Sequence, residues 1–157
     1  MGILGGISVN CIRLAFILLL YLFGLPFTVA AGDYDGSKKL LGSVARIVEV
    51  TKFGINEDVD PGVVGLPEFF IIDFKAMTLR PTKESLIRKT SRIRYIEHIE
   101  NKLMLQGVEQ GVDGINDGLG WSMAISKDTG RIILSAAGDG VAYVVFGMCA
   151  PAPDYDR

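Results

Sequence analysis

From residue 43 onward the chain alternates apolar and polar side chains with the two-residue period of β-strands. Ser43 to Phe53 sets Val44, Arg46, Val48 and Val50 on one side and Ala45, Ile47 and Glu49 on the other, a strand pattern. Gly54 to Leu66 reads as a loop whose turn-forming centre is Asn56-Glu-Asp-Val-Asp-Pro-Gly62. After Pro67, Glu68-Phe-Phe-Ile-Ile-Asp-Phe74 is aromatic and β-branched, which predicts a buried strand. Thr78 to Arg80 is a short return partner that Pro81 breaks, and Thr82 to Ser91 is a loop or one helical turn. Next, Ile93, Tyr95, Glu97 and Ile99 alternate with Arg94, Ile96 and His98. A tight turn at Glu100-Asn101 sends the chain back through Lys102 to Gly107, making a hairpin. Gly107 to Gly120 carries five glycines and predicts a long flexible loop.

The last third is a three-stranded meander. Trp121, Met123 and Ile125 alternate with Ser122, Ala124 and Ser126, and Lys127-Asp-Thr-Gly130 turns. Arg131, Ile133 and Ser135 alternate with Ile132, Leu134 and Ala136, and Gly138-Asp-Gly140 turns again. Val141 to Met148 is apolar on both faces, so this strand is expected to be central or part of a closed barrel. Pro151 and Pro153 end regular structure and leave a short acidic tail. No helix of ordinary length is needed after residue 32. About seven strands joined in sequence order predict an all-β antiparallel meander. It curls into a small barrel or sandwich, because an open sheet leaves adhesive edges.

Residues 1–31 follow a different pattern. Arg13 is the only charged side chain before Asp33. Behind it runs the apolar core Leu14-Ala-Phe-Ile-Leu-Leu-Leu-Tyr-Leu-Phe-Gly-Leu25, then Pro26 and the small-residue stretch Thr28-Val-Ala-Ala-Gly32. Val29 and Ala31 fit a cut before Gly32, and Thr28 and Ala30 fit one a residue earlier. The segment predicts a secretory signal peptide and a periplasmic or secreted location. The rival is an uncleaved transmembrane anchor, but Gly24, Pro26 and Thr28 interrupt the apolar run and its core is short. A membrane partner is expected only in that second case. A lipoprotein fits less well, since Cys11 precedes the apolar core. Residues 32–157 are read as a single β domain.

Composition narrows the chemistry. The 157 residues are 49% hydrophobic and 22% charged, which excludes global disorder. Net charge is −2, and it becomes −3 once Arg13 leaves, so nothing points to nucleic acid. The mean hydropathy of +0.35 owes much to the first 31 residues. After cleavage Cys149 is the lone cysteine, and the simplest reading is a packed thiol at a strand end.

The stretches Gly120-Trp-Ser-Met-Ala-Ile-Ser-Lys-Asp-Thr-Gly-Arg131 and Ala137-Gly-Asp-Gly-Val-Ala-Tyr-Val-Val-Phe-Gly-Met-Cys149 carry a resemblance. They resemble a group of small exported bacterial proteins with a Trp-Ser strand, a Thr-Gly hairpin and a closing Phe-Gly-x-Cys. About a quarter of the chain is covered. The resemblance implies export and a β domain, and no activity.

Candidate chemistry is sparse. Cys149, His98 and an acid such as Asp73 would make a nucleophilic set only if the fold joined them, and no spacing calls for it. One His with one Cys falls short of a zinc ligand set. Two oxygen-rich loops, Asn56-Glu57-Asp58 with Asp60 and Asp113 with Asn116-Asp117, read first as turn chemistry and second as calcium ligands. Trp121 reads as a core or barrel-end residue before a sugar platform. Arg80, Lys83, Arg88, Lys89, Arg92 and Arg94 face Glu84 alone, a concentration of cations in an acidic chain. They are the candidate contact for an anionic envelope component or acidic protein partner, and they also suit a solvated sheet edge. The sequence thus predicts a non-catalytic binding or envelope-associated module without a cofactor. A periplasmic enzyme inhibitor and a lipocalin-like carrier of a small apolar ligand are the alternatives.

Overall fold

The computed structural model describes residues 32–109 and 118–153. The predicted signal segment, the centre of the glycine-rich loop with Asp113, Asn116 and Asp117, and the acidic tail lie outside the described residues. The unit from Ala31 to Arg157 is compact in itself. Every described regular element is a strand. They are β1 (Leu40–Thr51), β2 (Gly54–Asn56), β3 (Phe69–Asp73), β4 (Thr78–Pro81), β5 (Ser91–Ile99), β6 (Lys102–Glu109), β7 (Leu119–Ser126), β8 (Arg131–Ala137) and β9 (Val141–Pro151). All neighbours are antiparallel, and β9 pairs back onto β1 from Leu40↔Pro151 to Thr51↔Val141. Eight strands therefore close into a barrel, while β2 folds against the part of β1 that β3 leaves uncovered. The choice between barrel and sandwich is settled by this seam. Strand β9 is paired along both edges, and its outward apolar side chains Phe146 and Met148 stay exposed.

The interior is filled. Leu40, Ile72, Leu103, Leu105, Met123 and Ile125 are fully buried. Strands β7 and β8 alternate inward and outward without interruption, as Trp121-Met123-Ile125 and Ile132-Leu134-Ala136. The outer wall carries Arg46, Arg92, Arg94, Glu97, Gln106 and Arg131. The same wall also exposes the apolar side chains Tyr95, Val108, Ile133, Phe146 and Met148. No described helix is long and apolar enough to cross a membrane.

Several boundaries differ from the sequence reading for local reasons. Strand β1 starts at Leu40, and its register slips between Val44 and Arg46. This bulge puts Val44 against the core and Arg46 outside, although a strict two-residue period sets them on one face. A second bulge between Ile93 and Tyr95 buries Ile93 and turns Tyr95 out to 70% exposure. Pro81 does not break the β3–β4 pair; it is the last paired residue, opposite Phe70. Pro151 likewise closes β9. Both prolines sit at strand ends, where the missing N–H does least harm. Residues 82–90 hold no helix, and the glycine-rich loop is shorter at both ends because β6 runs to Glu109 and β7 starts at Leu119.

The two ends of the barrel are built differently. The turns at 74–77, 100–101 and 127–130 lie at one end, and the segment before β1 packs across it. There Tyr34 lies against Gly130, and Gly36 faces Phe74 and Leu103. Gly130 has φ +66, and its carbonyl accepts from the Cys149 N–H at 2.7 Å and the thiol at 3.2 Å. A side chain there would meet both the left-handed backbone and the Tyr34 ring. Among the described residues, the other end carries the connections 52–53, 57–68, 82–90 and 138–140 and holds the mouth of a cavity.

Candidate binding site at the open end of the barrel

A cavity of about 100 Å³ opens at this end. Its apolar walls include Ile47, Phe70, Leu79, Trp121, Leu134 and Val145, one from each of six strands. Val64, Leu66 and Pro67 from the β2–β3 connection roof it. That connection is held down by backbone bonds from Val59 N–H to the Ile47 carbonyl (3.3 Å) and from Val44 N–H to the Glu68 carbonyl (2.9 Å). The apolar Val64 and Leu66 inside a turn-rich stretch are the signal that this loop packs inward; loop chemistry alone hides it.

Trp121 sets the shape of the site. It lies across the strand pair from Gly107, whose missing side chain leaves the space the indole fills. A Cβ on Gly107 would collide with both the indole and the backbone carbonyl of Arg92. The indole Nε1–H donates to Ser91 Oγ at 2.8 Å, and both residues are buried. The ring is thereby fixed in two directions. No buried polar side-chain atom lacks a partner among the described residues.

The rim is polar and charged. Lys89 Nζ pairs with Glu109 Oε2 at 3.0 Å, both partly exposed. Arg80 lines the mouth half-buried. Tyr143 faces its cross-strand partner Glu49. Burial, the Glu49 charge and a hydrogen bond to that carboxylate push the Tyr143 phenol above its usual range, so it stays a neutral donor. The site thus joins an apolar pit to a rim of mixed charge.

The six cations singled out in the sequence divide. Arg80 and Lys89 reach this rim. Lys83 and Arg88 stand exposed on the β4–β5 connection, where Arg88 Nη1 donates to the Lys83 carbonyl at 3.1 Å. Arg92 and Arg94 are exposed on β5.

The nucleophilic set is not assembled. Strands β5 and β9 stand four strands apart in either direction, so His98 and Cys149 are on opposite walls. Burial pushes the Cys149 thiol up to about 12, and its polar partner is the Gly130 carbonyl. His98 is exposed. Asp73 binds Lys39 at 3.1 Å and accepts from Ala76 and Lys75 N–H at 2.9 and 3.1 Å, fixing the β3–β4 turn. The first oxygen-rich loop is also occupied by turn chemistry. Asn56 Oδ1 accepts from Asp58 N–H at 3.4 Å and Asp60 Oδ1 from Gly62 N–H at 2.7 Å, while Glu57 pairs with Arg46 at 2.8 Å.

No protein-family model, curated protein or solved structure matches this chain.

Proposed function

We propose that the protein is an exported, non-catalytic binding module that takes one small apolar group of a ligand or partner into the open end of the barrel. The observation that carries this reading is the cavity itself: an apolar pit in an otherwise filled lumen, with a charged rim beside it. An apolar cavity of ~150 Å³ can hold benzene, so about 100 Å³ suits a short alkyl chain or a small branched group. Pockets for whole drug-sized ligands run to roughly 300–1,000 Å³. The carrier idea therefore narrows to a ligand whose polar part stays at the rim beside Lys89, Glu109 and Tyr143.

Trp121, the only tryptophan in the chain, is the reporter. Titration of the Ala31–Arg157 unit with hexanoate, hexanol and hexyltrimethylammonium is expected to give a saturable emission change. The order among the three reads the rim charge. Ala136→Leu, which fills the pit opposite Trp121, is expected to abolish the change while the protein still melts cooperatively. A linear response to all three probes, or full binding by Ala136→Leu, would sink the proposal.

A further inference from the structure

We infer that the open end of the barrel docks on an anionic lipid bilayer, with Leu86, Phe53 and Val63 entering the headgroup region. These are the three most exposed large apolar side chains among the described residues, at 95%, 89% and 82%. Each sits in a different connection, and all three connections lie at the open end. At the sealed end the turn residues are Lys75, Glu100, Asn101, Lys127, Asp128 and Thr129, and the large apolar side chains exposed beside them are Met148, at 53%, and Ile99, at 48%, both on strands. Exposed apolar residues scattered singly over a surface carry no message, whereas this set is confined to one end.

Charge points to the same surface. Leu86 is the tip of the β4–β5 connection, between Lys83 on one side and Arg88 on the other, against Glu84, while Lys89 is paired with Glu109. Arg92 and Arg94 follow on β5. Lys52 Nζ stands 4.9 Å from the Phe53 ring centre, so the second tip also carries a cation. The third loop holds Asp58 and Asp60, while Arg46 neutralises Glu57, so the β4–β5 connection leads the contact. Separate apolar tips with cations behind them fit a fluid interface, where each inserts independently into the headgroup and acyl boundary. A protein partner would need a pocket for each. Each Lys or Arg near an anionic surface strengthens binding roughly fivefold, and salt weakens it. The inference uses the loop tips alone and stands apart from the cavity.

The test is co-sedimentation of the Ala31–Arg157 unit with vesicles of phosphatidylcholine, and with vesicles containing phosphatidylglycerol as well. That unit closes its own sheet around its own core, so it serves as an independent domain. Binding is expected only with phosphatidylglycerol, falling as salt rises. Phe53→Ser with Leu86→Ser, and separately Lys83→Glu with Arg88→Glu, are expected to weaken it at least about tenfold with unchanged melting. Ile99→Ser is expected to leave it intact. Ala136→Leu is also expected to bind vesicles normally, and the loop variants to bind hexyl probes normally, which separates this inference from the cavity proposal. Absence of vesicle binding, equal binding to both compositions, or indifference to either loop pair overturns it. So does capture by an acidic protein without binding to vesicles.

Discussion

Replacing Ser91 by alanine removes the acceptor of the Trp121 indole N–H and little else. Trp121 is 6% exposed and Ser91 7%, and the bond is 2.8 Å. A buried donor left without a partner costs ~1–3 kcal/mol. We therefore expect Ser91→Ala to cost about 2 kcal/mol. For a domain of this size that is a fall in Tm of about 8 °C. Trp121→Phe loses ring burial as well as the bond. In the double variant there is no indole N–H to strand, so deleting the hydroxyl costs little. The cycle is expected to show a coupling of about 1–2 kcal/mol, the double variant being less destabilised than the sum of the singles. Urea unfolding of the four proteins, followed by far-ultraviolet circular dichroism, reads it without needing the tryptophan. Additivity within about 0.5 kcal/mol, or wild-type stability in Ser91→Ala, would refute the reasoning.

Three further outcomes follow from the same interior. Gly107→Ala drives a methyl into the indole and the Arg92 carbonyl, and backbone cannot rotate away, so it is expected to cost about 3 kcal/mol; melting within about 2 °C of wild type would contradict this. The Cys149 thiol is expected to resist maleimide at neutral pH until denaturant is added. Since folding raises its pKa from 9.0 to about 12, the related stability is complete below pH 9 and lost as pH rises toward 12, an alkaline limb that Cys149→Ala should flatten. Burial works against ionisation of Asp73, but the Ala76 N–H, the Lys39 ammonium and the Lys75 N–H outweigh it and lower its pKa. Its contribution is therefore present above the ordinary carboxylate range and lost in acid, and Asp73→Ala is expected to cost about 2 kcal/mol at neutral pH and to weaken the acid limb of a stability–pH profile.

The sequence made the fold class readable because most strands keep an unbroken two-residue period. Trp121 to Ala136 shows this best: alternation, turn and burial all agree. Legibility failed where the backbone changes the count. The bulges at Val44/Arg46 and Ile93/Tyr95 insert one residue each, and nothing in those residue types announces the insertion. Strand β2 escaped because three exposed residues carry no periodicity. The site was half visible. The sequence marks Trp121 as a core or barrel-end residue and Arg80 and Lys89 as part of a cation cluster. Their meeting with Glu109, Tyr143 and the Val64–Pro67 roof depends on barrel closure, which joins residues 90 to 111 positions apart.

The seam between β1 and β9 also dictates when the molecule can finish folding. Leu40 cannot find Pro151, nor Thr51 find Val141, until the last strand has left the ribosome. Contacts this distant along the chain make for slow closure. Until then the nascent chain presents two free edges and an uncovered lumen, the features that chaperones recognise. The same seam that closes the finished barrel leaves it open until β9 has been made.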